Sequence, residues 1–140
     1  MPTISTNEFK NGITIGADLS HEALAEAKDR LRFHDQLDES GGGIWGLTMA
    51  DVSGLPFKDD FFDLVICSEV LEHISEDQGA ASEIIRVLKP GQNLVVSVPR
   101  FLPERICWAL SSEYRNSDNG HIRIYRKKKL ITLLENCGVK

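Results

Sequence analysis

Phe62-Asp63-Leu64-Val65-Ile66-Cys67 is the stretch that decides the fold, and Ser68-Glu69-Val70-Leu71-Glu72-His73-Ile74 follows it directly. The first six residues form a short, β-branched run without polar alternation. Such a run suits a strand buried on both faces of a parallel sheet. Ile13-Thr14-Ile15-Gly16-Ala17 has the same character and closes on Asp18, just as Asp63 opens the later run. A carboxylate at the carboxyl end of a parallel strand faces the crevice where open α/β sheets bind ligands. Asp18 is therefore placed to accept hydrogen bonds from a ribose diol.

Outward from these runs, strands and helices alternate, the pattern of a parallel α/β sheet. Strands are predicted near 13–17, 44–50, 62–67 and 93–98. Ser20 can cap a helix running to about His34, with Leu19 and Leu24 as a hydrophobic staple. Leu24, Ala27 and Leu31 give that helix one apolar stripe. Gly41-Gly42-Gly43 follows a helix and leads into a strand, the reverse of the order a phosphate-cradling loop needs, and reads as a connector. Asp51 ends the second strand, Gly54-Leu55-Pro56-Phe57 is a turn, and Lys58-Asp59-Asp60 is a solvated loop. Ser75 with Gln78 reads as a capping box, before a stripe of Ala81, Ile84, Ile85 and Leu88. Lys89-Pro90-Gly91 should stop that helix. From Arg100 to Gly120 the pattern breaks, with a short helix expected from Pro103 through Trp108 to Leu110. A last helix is predicted over Lys127 to Asn136, with Leu130, Leu133, Leu134 and Cys137 on one face and Gly138 at its end.

The totals bound the function classes. The chain has 140 residues, is 41% hydrophobic and carries a net charge of −5. One domain is the expectation, and the acidic balance gives no general support for nucleic-acid binding. Cys67, Cys107 and Cys137 form neither a C-x-x-C pair nor a disulfide framework, which points to a reducing cytoplasm. No apolar stretch approaches the ~20 residues a membrane-spanning helix requires. The N-terminal residues carry no signal-peptide pattern.

Strand-Asp18, strand-Asp51, the string from Phe62 to Ile74, and Leu88-Lys89-Pro90-Gly91-Gln92 before a strand together resemble the class I S-adenosylmethionine-dependent methyltransferases. The resemblance is to the methyltransferase type 11 group. Gly120-His121-Ile122-Arg123-Ile124-Tyr125 and a helix ending Leu133-Leu134-Glu135-Asn136-Cys137-Gly138 are similar to that group's C-terminal region. The resemblance implies a Rossmann-like, mostly parallel sheet and S-adenosylmethionine as cofactor. Asp18 would hold the ribose hydroxyls, with Leu19 beside the adenine. Asp51 would accept from the adenine amino group, with the Val52 backbone N–H reaching a ring nitrogen. Cys67 and Ser68 would meet the methionine part through backbone groups, and Asp63 would support its strand.

Departures from the family pattern set further expectations. The glycine-rich loop after the family's first strand should lie upstream of Ile13, and residues 1–11 lack it. The family's last two strands would follow Gly138. The expectation is therefore an incomplete sheet, lacking its first strand and last two strands, in a single partial domain over 1–140. Residues 1–11 would be an N-terminal arm, and 100–120 a variable segment on the acceptor side. Bare edges beside the absent strand would favour a homo-oligomer. Gln92 also stands where a glycine is common.

Methyl transfer needs mainly proximity and in-line orientation. His73 is the candidate base where the acceptor must lose a proton. Glu69, Glu72 and His73 stand at i, i+3 and i+4, so a helix would put them on one face. Some methyltransferases acting on catechol-like or RNA 2′-hydroxyl acceptors hold a divalent metal with a similar cluster. Most type 11 members carry the string without one, and no metal is expected. Arg123, Arg126, Lys127, Lys128 and Lys129 read as a solvated basic face. The chain thus reads as an enzyme, or a fragment of one, methylating a small molecule. The alternative is a non-catalytic binding or assembly module. A nicotinamide-dinucleotide domain would share Asp18 but has no need of the strings around Glu69 and Lys89.

Overall fold

The structure is a computed structural model and describes residues 12–37, 43–99 and 122–139. The expected arm at 1–11, the short helix from Pro103 and the 100–120 segment lie outside the described residues. The chain divides into two compact units, Met1–Asp51 and Val52–Lys140.

The first unit is a βαβ element: β1 (Ile13–Asp18), α1 (His21–Gln36) and β2 (Ile44–Met49). β1 and β2 pair in parallel, from Ile13 opposite Ile44 to Asp18 opposite Met49. Ser20 caps α1 as its sequence position predicts, its Oγ accepting the Ala23 N–H at 3.1 Å. Within α1 only Leu24, Ala27 and Leu31 are half-buried, so the predicted stripe is in place. Trp45 Nε1 donates to Asp35 Oδ2 at 2.6 Å and ties the end of α1 to β2. A Cβ at Gly16 would lie 2.7 Å from Cδ2 of its ladder partner Leu47, so a larger residue there would make the Leu47 side chain shift.

The second unit comprises β3 (Phe62–Ser68), a 3₁₀ turn (Leu71–His73), α2 (Asp77–Val87), β4 (Leu88–Ser97) and α3 (Lys127–Asn136). β3 and β4 pair in parallel, with Leu64 opposite Asn93 through Ser68 opposite Ser97. One face of this pair carries Val65, Cys67, Leu94 and Val96, which pack into a core with Leu71, Ala80, Ile84 and Tyr125. Leu130 and Leu133 of α3 seal that core. α3 has the predicted bounds, and its half-buried residues are Leu130, Leu133 and Leu134, with Cys137 at its C-cap. Gly138, at φ +107°, allows the chain to turn back there. Its N–H reaches Glu135 O at 3.0 Å and the Val139 N–H reaches Leu134 O at 3.1 Å, a Schellman ending.

Three expectations are corrected here. The strands are not buried on both faces: Ile13 is 70%, Ile44 67%, Ile66 45% and Val95 49% exposed. Each described sheet has two strands, and the described helices of the second unit pack on one face of β3–β4. The capping box at Ser75 does not form, since Glu76 is the N-cap and no side chain caps α2. The entering backbone is held from outside instead, with Arg123 donating to Ile74 O at 3.0 Å and Ser75 O at 2.9 Å. Finally, β4 begins at Leu88 rather than Asn93, so Pro90 and Gly91 lie inside the strand span. The register shifts between Phe62 and Leu64, and residues 89–92 have no ladder partner, which is where a strand tolerates proline.

The loop before β3 is solvated as predicted, with Lys58, Asp59 and Asp60 exposed, and Arg86 anchors it to α2. Arg86 donates to Leu55 O at 3.0 Å, Phe57 O at 2.9 Å and Asp59 Oδ1 at 2.7 Å. Glu83 accepts the Leu55 N–H at 2.9 Å and pairs with Arg86, whose hydrogen bond holds the Glu83 carboxyl below its usual range. Asp63 forms an ion pair with Lys89 Nζ at 2.7 Å, linking the beginnings of β3 and β4.

Candidate functional site

In the first unit, parallel pairing brings Asp18 and Asp51 to the same end of neighbouring strands. Asp18 closes β1 opposite Met49, the Ala50 N–H donates to Asp18 O at 3.1 Å, and Asp51 follows one residue later. Both side chains are exposed. Asp18 Oδ1 accepts the Ser20 N–H at 2.7 Å, which fixes the carboxylate at the entry to α1 and leaves Oδ2 to a ligand. Leu19, next in sequence, is 59% exposed. A fixed carboxylate beside an exposed apolar side chain fits a ribose diol and a purine face, and a second carboxylate fits an amino donor. The residues present therefore fit the adenosine part of S-adenosylmethionine.

In the second unit, Val52 is half-buried against the core, and Cys67 and Ser68 end β3. Cys67 is buried, and burial, with a smaller contribution from the charge of Glu72, pushes its thiol up to about 11. The sulfur stays protonated at neutral pH and is no nucleophile. Ser68 Oγ lies 2.8 Å from Ser97 Oγ, and Ser97 Oγ donates to Glu69 Oε1 at 3.2 Å. Glu69 occupies the left-handed region at φ +54°, with its N–H bonded to Ser97 O at 3.0 Å. This hydroxyl–carboxylate row across the ends of β3 and β4 was not legible from the sequence, because it depends on strand register.

The expected common face of Glu69, Glu72 and His73 does not exist. Glu69 precedes the turn in a left-handed conformation and meets Ser97, while Glu72 is fully buried on the 3₁₀ turn. His73 is exposed, with Nε2 4.0 Å from Glu72 Oε1. Among the described residues no three His, Cys, Asp or Glu side chains are grouped to hold a metal ion.

Arg123 also departs from expectation. It is not part of a solvated face: Nη1 meets Asp77 Oδ2 at 2.6 Å and Tyr125 Oη at 3.2 Å, in addition to the two backbone carbonyls. Tyr125 is buried and donates to Asp77 Oδ2 at 2.6 Å. Burial first, then that hydrogen bond, pushes its phenol up to about 12.

Residues 4–96 match the methyltransferase domain of the type 11 group. The chain belongs to this family of S-adenosylmethionine-dependent methyltransferases. Among curated relatives, the ubiquinone/menaquinone biosynthesis C-methyltransferase UbiE of Vibrio vulnificus is 34% identical over 97 residues, covering 67% of this chain and 35% of that protein. Its namesake in Stutzerimonas stutzeri is 33% identical over 85 residues, or 61% of this chain and 31% of that protein. The chain thus spans about a third of the length of the curated relatives it matches. A methyltransferase structure from Thermotoga maritima shares the fold, with TM-score 0.70 at 18% identity over 93% of this chain and 64% of that one. Phosphoethanolamine N-methyltransferase 2 of Haemonchus contortus, solved with S-adenosyl-L-methionine, gives TM-score 0.60 at 18% identity, covering 91% of this chain and 32% of that one. S-adenosylmethionine is the cofactor of this methyltransferase family. Among the described residues no helix is long and apolar enough to cross a membrane.

Proposed function

We propose that this chain is part of an enzyme transferring a methyl group from S-adenosylmethionine to a small-molecule acceptor. The observation that carries the proposal is the placement of Asp18 and Asp51 at one end of adjacent parallel strands. Asp18 takes the ribose diol, Leu19 packs by the adenine, and Asp51 with the Val52 N–H reads the adenine edge. Cys67 and Ser68 serve the methionine part through backbone groups. The bound cofactor supplies a methyl group already activated on a sulfonium, so the protein's task is to orient and to exclude water. His73 is exposed beside the buried Glu72, and takes the proton of an acceptor that must lose one. The free thiols of Cys67 and Cys137 fit the reducing cytoplasm we assign to the protein. Ile66 and Val95, paired across the exposed face of β3–β4, support self-association.

Calorimetric titration of the chain and of Asp18→Ala with S-adenosylmethionine tests the reading. Removing charge-assisted hydrogen bonds to the ribose should weaken binding by about 1.5–3 kcal/mol. Equal affinities would refute the ribose role. A folded wild-type chain that takes up no cofactor would favour the assembly-module alternative.

A further inference from the structure

The polar row at the ends of β3 and β4 has a fixed direction of proton donation. Ser68 and Ser97 are ladder partners at the last position of each strand, and both are exposed, as is Glu69. The Ser97 hydroxyl donates to Glu69 Oε1 at 3.2 Å, which spends its only proton. In the 2.8 Å contact between Ser68 Oγ and Ser97 Oγ, Ser68 must therefore be the donor. The Glu69 N–H is spent as well, on Ser97 O at 3.0 Å. The row is left with acceptors alone: the lone pairs of Ser68 Oγ and the second carboxylate oxygen, Oε2. Among the described residues Glu69 forms no ion pair.

This polarity selects among ligand groups. A carboxylate or a phosphate would meet a negative charge and no side-chain donor. An ammonium group brings several N–H donors and a positive charge to two acceptor sites and an unneutralised carboxylate. The carboxyl ends of parallel strands are also where open α/β sheets receive their ligands. Local backbone preference does not explain the residue that supplies the charge. Glu69 stands at φ +54°, a region that glycine enters freely and other residues rarely. A glycine there could make the same N–H bond to Ser97 O at less conformational cost, but it would bring no carboxylate.

Resting on the methyltransferase reading above, we propose that Ser68, Glu69 and Ser97 hold the methyl acceptor by an amino group. The cofactor in that reading uses only backbone groups at Cys67 and Ser68, so the side chains of the row remain for the acceptor. Glu69 supplies the opposite charge, Ser68 a further acceptor, and Ser97 aligns the two.

The test uses the whole chain, isotope-labelled, and titrates it with benzylamine, cationic at neutral pH, and with benzoate, followed by nuclear magnetic resonance. Benzylamine should move the amide signals of Ser68, Glu69 and Ser97 saturably, and benzoate should not. Glu69→Gln keeps the side-chain shape and the Ser97 contact but removes the charge. It should weaken benzylamine binding at least about tenfold. Glu69→Gly should lose binding too while melting no lower than the parent, because glycine suits the conformation. A lower melting temperature in Glu69→Gly would make the carboxylate a structural tie between the strands and overturn the proposal. Equal benzylamine affinity in Glu69→Gln, or benzoate binding at the same signals, overturns it as well. S-adenosylmethionine should bind Glu69→Gln as it binds the parent; weakening there would give the row to the cofactor's own ammonium and refute the acceptor assignment. A parent that binds benzylamine but no S-adenosylmethionine refutes the methyltransferase reading and keeps the amine site. A parent that binds S-adenosylmethionine but no benzylamine refutes the site.

Discussion

Arg123→Met removes a side chain that holds the entry to α2, and the structure fixes what is lost. Two charged-donor hydrogen bonds to Ile74 O and Ser75 O disappear, together with the Asp77 ion pair at 2.6 Å. The Arg123 and Asp77 side chains are 21% and 20% exposed, so the pair is only partly screened. Ser75 is exposed and water can satisfy its carbonyl, and Asp77 keeps the Tyr125 hydroxyl. The discounted sum is about 2–4 kcal/mol of stability. For a chain of this size that lowers the melting temperature by roughly 3–5 °C per kcal/mol. Urea unfolding followed by circular dichroism measures the loss, and a cycle with Asp77→Asn should give a coupling of about 1 kcal/mol or more. Tyr125 provides a readout that simple loss of packing would not move. Its phenol is raised by burial and by Asp77 and lowered by Arg123, so Arg123→Met should push it higher and Asp77→Asn should bring it down. A cost below about 0.5 kcal/mol, or strict additivity with Asp77→Asn, would refute this account of the clamp.

Alkaline pH should destabilise the second unit. Cys67 rises from 9.0 to about 11 and Tyr125 from 10.0 to about 12 on folding, so the native state holds both protons more tightly. Their contribution is complete below pH 9, is lost as pH rises through 11 and 12, and should appear as a falling urea midpoint; a flat profile over that window would contradict it. Self-association is the remaining expectation. Sedimentation velocity should show concentration-dependent growth that Ile66→Thr with Val95→Thr abolishes, because the pair exposes apolar surface at 45% and 49%. A monomer at every loading concentration would show that this face does not pair.

What the sequence by itself determined was local or periodic. The apolar runs located the four described strands, although β4 begins five residues before its run, the stripes located the half-buried sides of α1 and α3, and Ser20 and Gly138 marked a helix start and a helix end. Each of these signals lies within a few residues of the structure it specifies, so no distant contact had to be known. Asp18 and Asp51 were legible for the same reason, since a strand end is a local feature and parallel pairing then aligns two of them.

Tertiary structure alone decided the charged and polar partnerships. Arg123 read as one of a run of surface cations, and becomes a clamp because Ile74, 49 residues away in sequence, presents its carbonyl there. Glu69, Glu72 and His73 have helical spacing, yet the ladder bond from Glu69 N–H to Ser97 O holds a left-handed residue between β3 and the turn. That single turn sends Glu72 into the core and leaves Glu69 on the strand ends. Whether β-branched runs are buried on both faces depends on what covers the sheet, which no periodicity records. Spacing encodes the geometry of one element. The partner of a charge and the cover of a face are set by chain segments brought together from far apart.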